Sequence, residues 1–262
     1  QERDRRYAVG PISPLHDIPL WAEPAAAAGV GRLAHMVVEV PRWTNAKMEI
    51  SLGEPLNPIR QDSKRGALRY VSNVFPHRGY IWNYGALPQT WEDPRHVDAG
   101  TRARGDNDPI DVLEIGSRVA ARGDVLAVRV LGALAMVDEG ETDWKLLAVD
   151  ARDPLAASLH SVADVEAHCP GLLRATVEWF RLYKVPDGKP ANEFAYDGRF
   201  QDREFAYKII DEVRACSCVL VMLSRMVPCG PCGARNVGRD ERRNLYLTAS
   251  AVRFPAYRDG RC

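Results

Sequence analysis

The sequence predicts a mainly β protein with helices added after the strands, an α+β chain built on a small barrel. Short β-type runs separated by turn-forming clusters recur from His35 to Val149, the spacing of a small barrel. Helical apolar stripes come only afterwards, at Leu172, Leu173, Val177, Phe180 and at Phe205, Ile209, Val213. No internal repeat of solenoid or propeller period interrupts this order.

Taken in order, residues 1–35 are irregular and rich in Pro, Ala and Gly. Pro11 to Pro19 reads as extended and Pro24 to Gly29 as a surface loop. His35 to Val40 is a β-rich run that Pro41 stops, and Glu39 inside it is a charge in an apolar strand. Lys47 to Ile50 and Leu68 to Val71 supply two more short strands, and Asn73 to Pro94 is aromatic and turn-rich. Val112 to Ile115, Val125 to Val137 and Trp144 to Val149 are β-type, the last two separated by a polar loop, Asp138 to Asp143. Tyr183-Lys184 ends a helix ahead of Val185-Pro186-Asp187-Gly188.

The 262 residues suffice for one large domain or two small ones, and an apolar content of 46% permits a sizeable core. A net charge of zero gives no reason to expect nucleic acid or an anionic membrane as partner. No apolar run approaches the roughly 20 residues of a membrane helix, and no signal peptide is visible. Of the six cysteines, Cys169 stands alone and the rest lie from Cys216 onward. The chain before Cys216 does not look like a disulfide scaffold, which suits a reducing compartment.

Gly105-Asp106-Asn107-Asp108-Pro109-Ile110-Asp111 concentrates the chemistry. Pro109 pushes Asp108 towards an extended conformation, in which Asp106 and Asp108 share a side. Asp111 opens the strand that follows. Such crowding of like charge is costly unless cations neutralise it, and hard divalent ions with oxygen ligands are the natural choice. A solvated acidic turn is the plain alternative. An EF-hand fits worse, because its sixth and twelfth positions hold Asp111 and Ser117.

The remaining candidates form two chemical sets. Glu39, Glu49, Asp106, Asp108, Asp111, Asp138 and Asp143 can bind hard cations. Lys47, Arg69, Lys145 and Lys184, with Tyr84 and Tyr183, can bind phosphate oxygens. Taken singly, a strand Lys or Arg is usually a solvated or snorkelling side chain and a Tyr usually core. Together they fit an anionic phosphate substrate bridged by Mg2+.

Asp106-Asn107-Asp108-Pro109-Ile110-Asp111-Val112 resembles the signature of soluble family I inorganic pyrophosphatases. So do Val38 to Ile50, Gly79-Tyr80-Ile81-Trp82-Asn83-Tyr84-Gly85, Pro88 to Pro94, Asp138 to Lys145 and Trp179 to Pro190, in the manner of the animal and fungal branch. The resemblance runs from about Pro14 to about Val213. It implies a five-stranded OB-like barrel with flanking helices, and Mg2+-dependent hydrolysis of pyrophosphate by a metal-bridged water. By the family pattern Asp106, Asp111 and Asp143 hold the first ion and Asp111 is shared with a second; Asp138 and Asp143 help a further ion, and Glu49 another. Glu39 lines the pocket. Asp108 orients the water and accepts its proton, Tyr80 stands at a site position, and Lys47, Arg69, Tyr84, Lys145, Tyr183 and Lys184 bind the phosphates. A cytosolic location, with a mitochondrial alternative, and a homodimer are further expectations. The competing readings are an OB-like binding module that does not hydrolyse, and an inactive isoform.

Two departures stand out, and the second divides the chain at 213/214. A β segment that usually precedes Ser13-Pro14 in the family is mostly absent, and residues 214–262 resemble nothing in the family's C-terminal region. A splice product, intron read-through or gene-model error is the expectation for this Cys- and Arg-rich tail, against a divergent but genuine one. Cys216-x-Cys218 with Cys229-x-x-Cys232 is a weaker zinc pattern than paired C-x-x-C, so an incidental cysteine-rich tail is expected.

Overall fold

In a computed structural model the residues described are 12–22 and 32–226, with side chains in the last helix to 214. The strands are β1 (Leu33–Val40), β2 (Met48–Ile50), β3 (Ile59–Gln61), β4 (Ser63–Lys64), β5 (Ala67–Leu68), β6 (Asn83–Ala86), β7 (Arg104–Gly105), β8 (Asp111–Glu114), β9 (Val125–Asp138), β10 (Glu141–Asp150) and β11 (Glu193–Phe194). The α-helices are α1 (Val162–His168), α2 (Leu172–Leu182) and α3 (Arg203–Met226). Strand order β9-β1-β6-β8-β10 closes on itself because β10 also pairs with β9. The result is a five-stranded barrel, mainly antiparallel, with β8 and β10 parallel; β7 and β11 extend it at β10 and β9. This is the mainly β, OB-like architecture expected.

Closure depends on β9. Its 14 residues pair first with β1 and then along β10, with a register shift at Leu147/Ala148 that bends the ribbon. The strands carry a period of two. On β10, Trp144, Leu146 and Ala148 join a cluster with Ala206, Ile209 and Ile210 of α3. The alternate residues Leu147 and Val149 join a second cluster with Trp82, Trp179 and Phe180. Asp143 and Lys145 share the parity of Leu147, which brings charge to the face that α2 covers.

Helix α2 buries its stripe as expected, with Thr176, Trp179 and Phe180 enclosed. Trp82 Nε1 donates to Thr176 Oγ1 at 2.9 Å and Trp179 Nε1 to Gly79 O at 2.9 Å, so each buried indole N–H is satisfied. The contact-based unit holding the barrel runs from Gln1 to Ser217; of the second, Cys218–Cys262, only the helical residues to Met226 are described. The Pro24–Gly29 loop and the tail cysteine pattern lie outside the described residues or side chains. Among the described residues no helix is long and apolar enough to cross a membrane.

Some local expectations are corrected. Asp138 and Asp143 do not bracket a loop: both are strand residues, and only Glu139 (φ 52°) and Gly140 (φ 88°) turn the chain, a two-residue hairpin of positive φ. The sequence there is polar because one edge of the hairpin faces the cleft. The third strand shrinks to Ala67–Leu68, with an isolated bridge at Tyr70. Asn107 takes φ 75°, so Asp106-Asn107-Asp108 is a turn rather than an extended run; Asp108 N–H closes it on Asp106 Oδ1 at 3.0 Å.

Candidate active site

One cavity of about 120 Å³ collects Lys47, Arg69, Tyr80, Tyr84, Asp106, Asp108, Asp111, Asp138, Asp143, Lys145, Tyr183 and Lys184, with Trp179 and Phe180 behind them. Every sequence-predicted site residue is in that set except Glu39 and Glu49. Glu39 is buried in β1 and its Oε1 accepts Ile50 N–H at 2.6 Å. Glu49 on β2 holds Lys47 Nζ at 3.0 Å. Glu49 nevertheless stands among the groups that push Asp108 upward, and Glu39 among those that raise Tyr80.

Each wall follows from local structure. The aspartate turn is stitched to the preceding loop: Glu92 N–H donates to Asp108 O at 2.9 Å, and Asn107 N–H donates to Glu92 O at 3.0 Å. Gly105 permits this contact, for a Cβ there would meet Glu92 backbone atoms at 2.4 Å. On the barrel, Asp111 begins β8 in register with Lys145 of β10. Lys145 Nζ donates to both Asp111 Oδ2 and Asp143 Oδ1, and Tyr84 Oη donates to Asp111 Oδ2.

A second wall carries cations and phenols. Lys47 and Arg69 converge on Asp62 Oδ2, the lysine at 3.3 Å. Lys184, just past α2, donates to Asp138 Oδ1 at 2.6 Å. Tyr80 packs at 5.1 Å from both Tyr84 and Trp179, and Trp179 stacks on Tyr183 at 5.0 Å with 10° between planes. The rings fix the phenols, and Lys145 Nζ lies 5.4 Å from the Phe180 centroid, a cation–π contact.

The electrostatics are those of crowded carboxylates. Burial, then Asp108, pushes Asp106 up to about 8. Asp108 is open at the mouth yet sunk among protein atoms; that surrounding, with Glu49 and Asp111, pushes it up to about 7. Burial raises Asp143 and Lys145 draws it down, while Asp111 and Asp106 raise it again; it ends well above the ordinary range. Burial opposes the charge of Lys145, but Asp111 and Asp143 outweigh it and hold the amine protonated. Burial likewise opposes Lys47, and Glu49, Tyr80 and Asp62 together outweigh it. The phenols of Tyr80, Tyr84 and Tyr183 are raised by burial and stay neutral donors.

This donor set fits hard divalent cations. All the cleft's acidic ligands are oxygen donors, and carboxylates forced towards protonation at neutral pH are relieved by added positive charge. A carboxylate oxygen from each of Glu92, Asp106 and Asp143 lies within 4.8 Å of the others. Asp106 and Asp143 belong to that group, and Asp111 joins Asp143 through Lys145.

Sequence reasoning missed Glu92, Asp62, Trp179 and Phe180. Glu92 and the two aromatics lie inside stretches already singled out, where an acidic residue in an aromatic turn was the available signal for Glu92. Asp62 lies in no such stretch. Its signal was indirect: Lys47, just before β2, and Arg69, just after β5, need a shared counter-charge.

Comparison with known proteins places this geometry. The model of the family described as inorganic pyrophosphatase matches residues 36–216. A Drosophila melanogaster inorganic pyrophosphatase is 63% identical over 201 residues, 77% of this chain but 58% of its own length; the chain thus spans little more than half of that relative. An inorganic pyrophosphatase structure from Schistosoma japonicum matches with a TM-score of 0.78 at 52% identity, covering 87% of this chain and 78% of that one. A truncated Trypanosoma cruzi vacuolar soluble pyrophosphatase in complex with PPi matches with a TM-score of 0.75 at 43% identity, covering 80% of each. A barrel of this topology, an acidic turn facing cations and phenols, and matches of this extent lead to one conclusion: the chain belongs to the inorganic pyrophosphatase family.

Proposed function

We propose that the protein hydrolyses inorganic pyrophosphate to two phosphates with Mg2+. The observation that carries this reading is the single cleft in which Asp106, Asp108, Asp111 and Asp143 face Lys47, Arg69, Tyr84 and Lys184. Mg2+, when bound, supplies charge neutralisation, polarised phosphoryl oxygens and a more acidic water.

The protein's own groups do the rest. Asp106, Asp111 and Asp143 hold cations at the floor, with Asp138 assisting and Glu49 and Glu39 adding negative charge behind them. Lys47, Arg69, Lys145 and Lys184 neutralise phosphate oxygens, and Tyr84 and Tyr183 donate to them from phenols that burial keeps protonated. Tyr80 is enclosed at 3% exposure between Tyr84 and Trp179, which suits positioning of those rings. Asp108 stands at the mouth, free to receive the proton of an attacking water and pass it to solvent. A polyanion-binding groove without hydrolysis fits worse, because so many carboxylates repel nucleic acid.

Residues 1–213 are assigned the catalytic domain, since the residues that line the cleft lie within them. A cytoplasmic location, with a mitochondrial alternative, and a homodimer are part of this reading; light scattering on the purified chain tests the dimer. The activity test is phosphate release from pyrophosphate with Mg2+ varied and Ca2+ as competitor. Release that rises with Mg2+ and stops with chelator is expected. No release at any Mg2+ concentration from a folded sample removes the proposal.

A further inference from the structure

Glu92 stands between the aspartate turn and β10, and the roles above leave it unused. Its main chain clamps the turn through Asp108 and Asn107. Its side chain reaches the other way, and Oε1 accepts Trp144 N–H at 3.0 Å, next to Asp143 in the chain. Glu92 is 3% exposed, and its second oxygen, Oε2, has no hydrogen-bond partner. One oxygen each from Glu92, Asp106 and Asp143 share a space 4.8 Å across. A buried carboxylate oxygen without a partner is rare and costly, and its carboxylate lies beside two others of the same charge.

We propose that Glu92 is a further metal-holding residue, its Oε2 serving a divalent cation in the group formed with Asp106 and Asp143. The inference deepens the reading of the cleft as a Mg2+ site and rests on it. An ion there pairs Oε2 and neutralises Asp106 and Asp143 together. Mg2+ retains several waters of its own, so Oε2 serves it at the ion's surface or through one of those waters. Partners that reach an ion through its ligands are typically worth about 10–100-fold in metal affinity. Through Trp144 and Asp108 the same residue ties the strand bearing Asp143 to the turn bearing Asp106.

The test is calorimetric titration of Mg2+, and paramagnetic resonance titration of Mn2+, on the full chain after metal stripping. Glu92→Gln keeps a carbonyl oxygen for Trp144 N–H and loses the second carboxylate oxygen. Affinity is expected to fall about 10–100-fold, with the melting temperature in chelator unchanged. Glu92→Ala loses the Trp144 bond as well and is expected to melt lower. Wild-type affinity for both ions in Glu92→Gln overturns the proposal and makes Glu92 a structural clamp only. If that variant does not fold, Glu92→Asp, which keeps the charge on a shorter arm, carries the same expectation and the same refutation. Failure of the unmodified protein to bind either ion overturns the cation-site reading itself and this inference with it, whereas normal binding by both proteins overturns this inference alone.

Discussion

Lys145 of β10 and Asp111 of β8 stand opposite each other in a parallel strand pair, and the lysine amine bonds at once to Asp111 and to Asp143 on its own strand. At 2% exposure this cation has no solvent to fall back on. The two carboxylates keep it charged, and it draws Asp143 down against the burial that raises that carboxyl.

Lys145→Met therefore leaves two enclosed carboxylates without their counter-charge. Removing one partner of a buried pair costs about 3–5 kcal/mol. At roughly 2–4 °C per kcal/mol for a domain of this size, the melting temperature in chelator drops on the order of 10 °C. Mg2+ should then stabilise the variant more than the unmodified protein. A circular dichroism melt that moves less than about 2 °C would show that Lys145 carries no structural charge balance.

Asp108→Asn separates binding from turnover. Asp108 lies on the exposed lip of the turn, and its side chain is outside the close Glu92–Asp106–Asp143 group. The amide should leave Mg2+ affinity within a few-fold, yet it cannot take up a proton. General-base assistance is worth about 10²–10⁴-fold, so kcat should fall by that range with KM little changed. Phosphate-release kinetics beside a Mg2+ titration decide it, and unchanged turnover removes Asp108 from the role.

The barrel and the cleft were legible in the sequence to different depths. β1, β8, β9 and β10 announced themselves because each alternates or runs apolar against a full core, and α2 and α3 because their stripes are unbroken. β6, Asn83–Ala86, was hidden inside an aromatic segment: it is four residues long, and Gly85 in it is there because a Cβ would meet Val37 O at 1.9 Å, not from any strand preference. The aspartates stood out as local crowding. Asp62 did not, because its two cations come from separate segments, one just before β2 and one just after β5, and non-local pairing of this kind leaves no periodic trace.

Gly105→Ala tests the seam that holds the turn. The added methyl would meet the Glu92 carbonyl at 2.4 Å, and backbone on both sides leaves little room to yield. Overpacking of this kind costs about 1–3 kcal/mol. The distortion falls on the Glu92–Asp108 and Asn107–Glu92 hydrogen bonds, so Mg2+ affinity should drop together with stability. Calorimetry and melting on the same sample check both, and a stable variant with normal Mg2+ affinity would mean that the seam is soft.

The acidity of the cleft fixes the sign of a pH effect. Burial with neighbouring carboxylates raises Asp106 to about 8, and the surrounding protein with Glu49 and Asp111 raises Asp108 to about 7, against an ordinary value near 3.8. Between about pH 4 and pH 8 the folded chain thus holds protons that the unfolded chain has released. Stability changes with pH as the protons bound unfolded minus those bound folded, which is negative here, so stability without metal falls as pH rises through that window. Asp62, Asp150 and Asp153 are lowered instead, Asp62 against burial by Lys47 and Arg69, the other two by hydrogen bonds. Their contribution is lost on the acid side, below the window, and does not offset the slope. Asp108 is open to solvent, so screening trims its share, and Asp106 sets the trend together with Asp143, Glu92 and Glu39, all raised first by burial. In chelator the melting temperature should decline from about pH 5 to about pH 8, and saturating Mg2+, which favours the ionised carboxylates, should flatten or reverse the decline. A melting temperature that climbs over that range in chelator would mean the carboxylates are ionised without any cation, and the electrostatic case for a metal site would fail with it.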